Sequence, residues 1–261
     1  MSQSRSIVLF ADEVGIPLAL ASAGAGAIAC VVVDPKRATA VAAAEQACRP
    51  LAIPVLAHPS PQGRREFEAA VGDLSASLGL VVSYNRILWP DLLGLFPRGV
   101  VNLHGSRLPQ YRGANVLQWA IINGETQTAM TMHYVDQGVD TGAIIAQRDV
   151  PIAHADTALA VREKLMSAAA ALLEEYLPRL VCGRLSAHAQ DEALARVWPR
   201  RRPQDGRIDW SWSDRKIHDL IRALVRPWPG AFYRDRAGQD VTIDRYMSLG
   251  EIAALRREVG S

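Results

Sequence analysis

The 261-residue chain carries 49% hydrophobic and 21% charged residues, enough apolar content to bury a substantial core, with room at usual domain sizes for one domain plus a smaller appendage. Its net charge of +2 is too small to point to nucleic acid or a membrane surface unless the charge is concentrated in one region. No apolar run approaches the ~18 residues of a membrane span, so a soluble globular protein is expected.

The polar amino terminus lacks the basic start and long apolar segment of a secretory signal, and a cytoplasmic location is expected. Short apolar runs suited to buried strands at 7–11, 27–33, 51–56, 79–83 and 100–103 alternate with helical stretches near 14–24, 36–48, 62–71 and 90–96. This alternation predicts an α/β fold, a Rossmann-like, mostly parallel sheet with helices on both faces, because each crossover is long enough to carry a helix. The first turn, Asp12-Glu13-Val14-Gly15-Ile16-Pro17, has no glycine pair to admit a pyrophosphate, which argues against a NAD or FAD site. Gly24 and Gly26 read as helix-end and turn residues. Cys30, Cys48 and Cys182 are far apart and lack CxxC spacing, so they read as reduced thiols, and no metal is expected.

Two further strands are expected at 130–135 and 143–151, flanking a loop at 136–142. Asp156 or Thr157 is placed to cap a long helix whose Leu159, Leu165, Leu172, Leu173 and Leu177 recur at helical spacing, a pattern typical of core packing. Arg, Pro and Gln then become frequent. The expected organisation is a larger domain at 1–184, a linker at 185–205 and a small C-terminal subdomain at 206–261.

The stretch most charged with chemistry is Asn102-Leu103-His104-Gly105-Ser106-Arg107-Leu108-Pro109. Alternation along a strand puts Asn102 and His104 on the same face, about 6–7 Å apart, at the carboxyl end where α/β sheets place their ligands. An imidazole exchanges protons at neutral pH. The Asn102 amide can donate to a developing oxyanion, and a carboxylate such as Asp140 can orient the imidazole. Singly, each residue also has an ordinary structural role: a core histidine, a strand cap, a turn support.

Asn102-Leu103-His104-Gly105-Ser106, Leu108-Pro109, Tyr111-Arg112-Gly113, Trp119, Asn123-Gly124-Glu125, Thr131 and Asp136-Gln137-Gly138-Val139-Asp140-Thr141-Gly142 together resemble the catalytic core of the folate-dependent formyltransferases. That superfamily includes methionyl-tRNA formyltransferase, glycinamide ribonucleotide transformylase and the N-formyltransferases of nucleotide-linked amino sugars. The resemblance implies 10-formyltetrahydrofolate as formyl donor and Asn102, His104 and Asp140 as catalytic residues. It also implies that Ser83, Tyr84, Asn85, Arg86, Ile87 and Leu88 hold the pterin, largely through backbone groups, with the loop from Asp136 through Val139 to Asp140 closing its other side. Ser106 and the Leu108–Pro109 turn are then expected to line the approach between folate and substrate, while Tyr111 and Arg112 are either part of this or scaffold.

Gly206-Arg207-Ile208-Asp209-Trp210 and the stretch from Ile221 to Phe232 resemble the start of the C-terminal domain in the tRNA and sugar-nucleotide enzymes, which argues against the single-domain purine enzyme. Residues 196–245 hold eleven Arg and one Lys against seven Asp, a net +5. Such a cluster can meet the phosphates of a nucleotide diphosphate or an RNA, or be a solvated surface. Only about 60 residues follow Arg200, fewer than the β-barrel domain of the tRNA enzyme needs, so nucleic acid is not the expected partner. The expected acceptor is a small-molecule primary amine, a nucleotide-linked amino sugar foremost, with Arg201 and Trp228 as candidate contacts. Hydroxyornithine-type siderophore precursors, methionyl-tRNA and simple formyltetrahydrofolate hydrolysis are the alternatives. A homodimer is left open.

Overall fold

The computed structural model describes residues 5–13, 15, 27–183 and 185–259. The helix expected at 14–24, with Gly24 and Gly26, lies outside the described residues apart from Gly15. The strands, in chain order, are β1 (Arg5–Ala11), β2 (Ala27–Val33), β3 (Val55–Ala57), β4 (Leu78–Val82), β5 (Val100–His104), β6 (Arg112–Gly113), β7 (Gln127–Tyr134), β8 (Ile144–Pro151), β9 (Val197–Trp198), β10 (Ala231–Arg234) and β11 (Asp240–Ile243). Seven of them form one sheet in the order β3-β2-β1-β4-β5-β7-β8. The five on the β3 side run parallel, and β5 meets β7 antiparallel. The expected α/β sheet is therefore present, with an antiparallel step beside its chemistry-bearing strand.

The central strands are apolar on both faces, as parallel strands covered by helices must be. Val8, Phe10, Cys30 and Val32 are fully buried and share a core with Phe67, Val71, Trp89, Leu92, Phe96 and Val100. Each such large side chain contributes on the order of 1.5–3 kcal/mol by leaving water. Gly79 has no room to be larger, since a Cβ there would lie 2.8 Å from Val100 Cγ2. Close approach of β4 and β5 depends on it.

The helices are α1 (Ala38–Cys48), α2 (Arg64–Asp73), α3 (Pro90–Gly94), α4 (Val116–Ile122), α5 (Ala158–Cys182), α6 (Asp214–Ala223) and α7 (Leu249–Val259). Of the two caps anticipated for α5, Thr157 Oγ1 accepts from the Ala160 N–H at 3.3 Å. The strand anticipated at 51–56 is shorter and later. Pro50 opens a single 3₁₀ turn at Arg49–Leu51, Ala52 is left-handed with φ of 49°, and the ladder begins where Pro54 O accepts from Val31 N. Pro54 has no N–H to give, so it enters the sheet edge through its carbonyl. Among the described residues no helix is long and apolar enough to cross a membrane, and all three cysteines are free.

Two compact units emerge, neither contiguous in sequence. The first comprises Met1–His104, Thr131–Arg148 and Ala168–Asp191; the second comprises Gly105–Met130, Asp149–Ser167 and Glu192–Ser261. The chain's C-terminal third thus packs with segments from its middle, which the linear division at 184 and 205 does not express. In the second unit the fully buried Arg222 donates to Asp219 Oδ1 at 2.7 Å and to the carbonyls of Ala153 and Asp156 at 3.1 and 2.8 Å. Removing any of these acceptors leaves part of a buried cation unpaired, at a cost of roughly 1–3 kcal/mol or more. Residues 192–200, expected as linker, are ordered by the same unit: Trp198 stacks on Tyr111 with centroids 5.3 Å apart, Trp119 Nε1 donates to Pro199 O at 2.8 Å, and buried Arg112 pairs with Glu192 at 2.6 Å.

Candidate active site

The register of β5 against its neighbours assembles the first unit's polar cluster. Asn102 lies opposite His133 and His104 opposite Thr131 on β7, so strand alternation delivers all four side chains to one face. Asp140 reaches the same face from the loop between β7 and β8. Its Oδ1 is 3.6 Å from His104 Nδ1 and 3.8 Å from His133 Nε2. The three residues expected to form a constellation are brought together, and a fourth joins them.

His133 is that addition. Its Nδ1 is 2.8 Å from Tyr134 O, and since a carbonyl only accepts, Nδ1 carries the proton. Nε2 is then the acceptor for the Asn102 amide N–H at 3.1 Å. Burial, reinforced by the nearby His104, drives the His133 pKa from 6.5 down to about 4, so the ring is neutral near pH 7 and this tautomer persists. The two imidazoles meet edge to face, centroids 6.1 Å apart at 83°. The signal for His133 was present in the sequence: Thr131 and His133 alternate in the apolar strand 130–135 as Asn102 and His104 do in theirs.

Loop geometry holds Asp140. Its φ is 54°, a left-handed conformation that costs a residue with a Cβ on the order of 1 kcal/mol. Asp136 Oδ1 accepts from Gly138 N at 3.0 Å and Thr141 Oγ1 at 2.6 Å, closing the turn on itself. Gly142 must be glycine, because a Cβ would fall 1.7 Å from Tyr134 O. The buried Gln190, which no local sequence pattern marks, donates through Nε2 to the carbonyls of Asp140 and Gly142, both at 2.8 Å.

The segment 83–88 leaves β4 beside this cluster, since Val82 is level with Leu103 in the parallel register. Ser83 is left-handed with φ of 49°. Tyr84 packs on Phe10 and shares a 2.8 Å hydrogen bond with His58 Nδ1, and burial raises its pKa. Arg86 donates to Asp34 Oδ1 at 2.7 Å. Burial alone would raise the Asp34 carboxyl, but the hydrogen bonds from Arg86 and the Lys36 N–H outweigh it and hold the group below the usual carboxylate range. Leu88 packs against the core. Ser83 and Asn85 are exposed, Ile87 projects with 83% of its surface accessible, and Val139 in the loop 136–142 with 55%.

Ser106 and Leu108 follow β5 directly. Both are buried, Ser106 Oγ donates to Tyr111 O at 2.6 Å, and Leu108 precedes a cis peptide to Pro109. They shape the turn after β5. Tyr111 and Arg112 are scaffold in the sense left open: Tyr111 Oη donates to Glu125 at 2.7 Å, and Arg112 holds Glu192. Arg201 and Trp228 line a recess of about 100 Å³ in the second unit, with Asn115, Gln118 and Arg202. The Arg201 guanidinium lies 5.2 Å over Trp119, and its Nη1 is buried with no hydrogen-bond partner among the described residues. Burial lowers its pKa.

Residues 15–177 match the model of the family described as formyl transferase, and residues 201–246 match the formyl transferase C-terminal domain. The chain belongs to the formyl transferase family. Among solved structures it is similar to a 4-N formyltransferase from Francisella tularensis, with a TM-score of 0.78 and 15% identity over 95% of this chain and 99% of that one. A sugar N-formyltransferase from Shewanella sp. FDAARGOS_354 gives 0.74 and 20%, over 93% and 98%. HypX from Aquifex aeolicus in complex with tetrahydrofolic acid gives 0.66 and 18%, over 92% of this chain and 37% of that one. At these identities the structures attest the fold, and family membership makes this chain a formyltransferase. The Asn102, His104 and Asp140 cluster lies within the matched family region.

Proposed function

We propose that this enzyme transfers the formyl group of 10-formyltetrahydrofolate to the primary amine of a nucleotide-linked amino sugar, in the cytoplasm, with Asn102, His104 and Asp140 as its catalytic residues. The observation that carries the reading is the cluster at the carboxyl end of β5, where Asp140 Oδ1 sits 3.6 Å from His104 Nδ1 and Asn102 is held by His133 at 3.1 Å.

The donor supplies an activated formyl carbon. His104, oriented at Nδ1 by Asp140, takes the proton of the attacking amine at Nε2. One Asn102 N–H is committed to His133, which turns the amide so that the other faces the formyl oxygen as negative charge develops there. Asp140 stabilises the imidazolium so formed, and that proton is available to the departing folate nitrogen. Ile87 and Val139, apolar yet exposed on loops 83–88 and 136–142, suit the faces of a flat heterocycle, and backbone groups around left-handed Ser83 suit its polar edge. These are the residues assigned to the folate.

The acceptor reading is supported by the second unit's recess. A buried guanidinium N–H lacking an acceptor among the described residues, in a recess also lined by Trp228 and Gln118, suits an oxyanion attached to a ring. The fold-level likeness to a sugar N-formyltransferase agrees with it. The test is formyl transfer from 10-formyltetrahydrofolate to a panel of UDP- and dTDP-linked amino sugars, hydroxyornithine, free amino acids and charged initiator tRNA. Turnover is expected with a nucleotide amino sugar. Turnover confined to another panel member overturns the acceptor assignment, and formate release equal with and without amine makes the enzyme a hydrolase.

A further inference from the structure

We propose that Gln190 is a positioning residue for formyl transfer, its side-chain amide holding the left-handed turn at Asp140 in the conformation that presents the carboxylate to His104. The inference rests on the preceding assignment of His104 and Asp140 to the reaction.

Asp140 is the residue of its loop with φ of 54°, and such a backbone persists only where its surroundings over-determine it. The first half of the loop is braced from within by Asp136, through Gly138 N and Thr141 Oγ1. Those bonds tie residues 136, 138 and 141, and the backbone on either side of Thr141 is held from outside the loop as well. Gln190 does this. One amide nitrogen reaches the carbonyls of Asp140 and Gly142, each at 2.8 Å, spanning the strained residue and the glycine pressed against Tyr134 O. Gln190 is buried, so water cannot replace it at low cost.

The clamp is anchored in its turn. His188, two residues earlier, pairs with Ile144 in an antiparallel bridge, N–H to carbonyl in both directions at 3.0 and 2.8 Å. Tyr134 Oη exchanges hydrogen bonds with the backbone of Leu185 at 3.1 and 2.9 Å. The segment 185–190 after α5 is therefore fastened to β7 and β8 on both sides of the loop, and Gln190 transmits that rigidity to Asp140. A shift of about 1 Å at a positioned catalytic group can cost as much as 10²-fold, so a side chain that never touches substrate can govern turnover here.

The experiment uses the full chain and two readouts: nitrogen-labelled histidine spectra, which need no substrate, and turnover of 10-formyltetrahydrofolate with the best nucleotide amino sugar of the panel. Gln190→Met keeps the volume and removes both donated bonds; Gln190→Glu keeps the shape and sets an acceptor against two carbonyls. Each is expected to move the His104 and His133 resonances as Asp140→Asn does, to leave His58 in place, and to lower kcat about 10–100-fold. Added to Asp140→Asn, either is expected to cost less than twofold more, because the group it positions is already disabled. Unmoved His104 resonances with normal kcat, full multiplication of the two losses, or movement of His58 as well would overturn the proposal, the last by making Gln190 a general fold residue. If Asp140→Asn alone leaves kcat unchanged, the catalytic assignment is what fails, and the role of Gln190 falls with it.

Discussion

Asn102 differs from an ordinary strand-end amide in that one N–H is committed to His133 Nε2 at 3.1 Å, which fixes the rotation of the whole group. Asn102→Ala is expected to lower kcat about 10²–10³-fold with little change in KM, and His104→Ala about 10²–10⁴-fold; steady-state kinetics on folded variants check both. His133 makes a prediction about stability. Its folded pKa of about 4 lies below the ordinary 6.5, so between those values the unfolded chain binds a proton that the native state refuses. The stabilisation is complete above about pH 6.5 and is lost as pH falls towards 4, with a slope of about 1.4 kcal/mol per pH unit for one proton. His58 and His218 are displaced in the same direction, so the His133 share is isolated by difference. His133→Gln is expected to flatten the stability profile in that window by one proton, measured by denaturant titration at several pH values. An unchanged slope would return the titration to the other two imidazoles.

At the scale of elements, the strands carrying the site were legible because continuous apolar runs and period-two polarity are local signals. Strand β2 begins and ends where its apolar run does, and β5 ends at His104, one residue beyond the run. The loop chemistry was legible only through the resemblance, since nothing local in Gly138-Val139-Asp140 announces a left-handed aspartate. The order of residues 192–200 was not legible, because Trp198 is organised by Tyr111 and Trp119, some 80 residues earlier in the chain, and composition alone reads as linker. Gln190 was hidden for the same reason: its partners are carbonyls, which leave no trace in a sequence. Gly142 supplies the element-level prediction. With its Cβ position 1.7 Å from Tyr134 O, Gly142→Ala is expected to push the loop off β7 and destabilise the protein by roughly 1–3 kcal/mol. It is also expected to cost about 10²-fold in kcat as Asp140 leaves His104. Thermal melting together with kcat separates the effects, and a fully active Gly142→Ala enzyme would show that the loop's position is not what turnover requires.

For the whole molecule, the modest net charge of +2 conceals a segment at 196–245 with net +5, and the structure divides its arginines by burial. Arg200 and Arg202 are exposed, whereas Arg201 is half-buried beside Trp119. Exposed charges act through a field that salt screens over ~8–10 Å, while a desolvated guanidinium contacting its ligand is screened far less. If the recess binds the phosphates of a nucleotide amino sugar, Arg200 and Arg201 are expected to behave differently. Arg200→Gln should weaken the amine substrate a few-fold at low ionic strength and hardly at all at high salt. Arg201→Gln should raise its KM at both, by 10-fold or more, as expected for a lost charge-assisted hydrogen bond worth about 1.5–3 kcal/mol. The KM for 10-formyltetrahydrofolate is the internal control and should stay within twofold in both variants. Equal loss of both substrates in Arg201→Gln would mean that the side chain supports the fold through Trp119, and no loss in either variant would make the arginine cluster a solvated surface. Retention of the nucleotide dependence with a lost preference for the sugar's amine would place Arg201 on the wrong part of the acceptor, and would direct the search to other residues of the second unit.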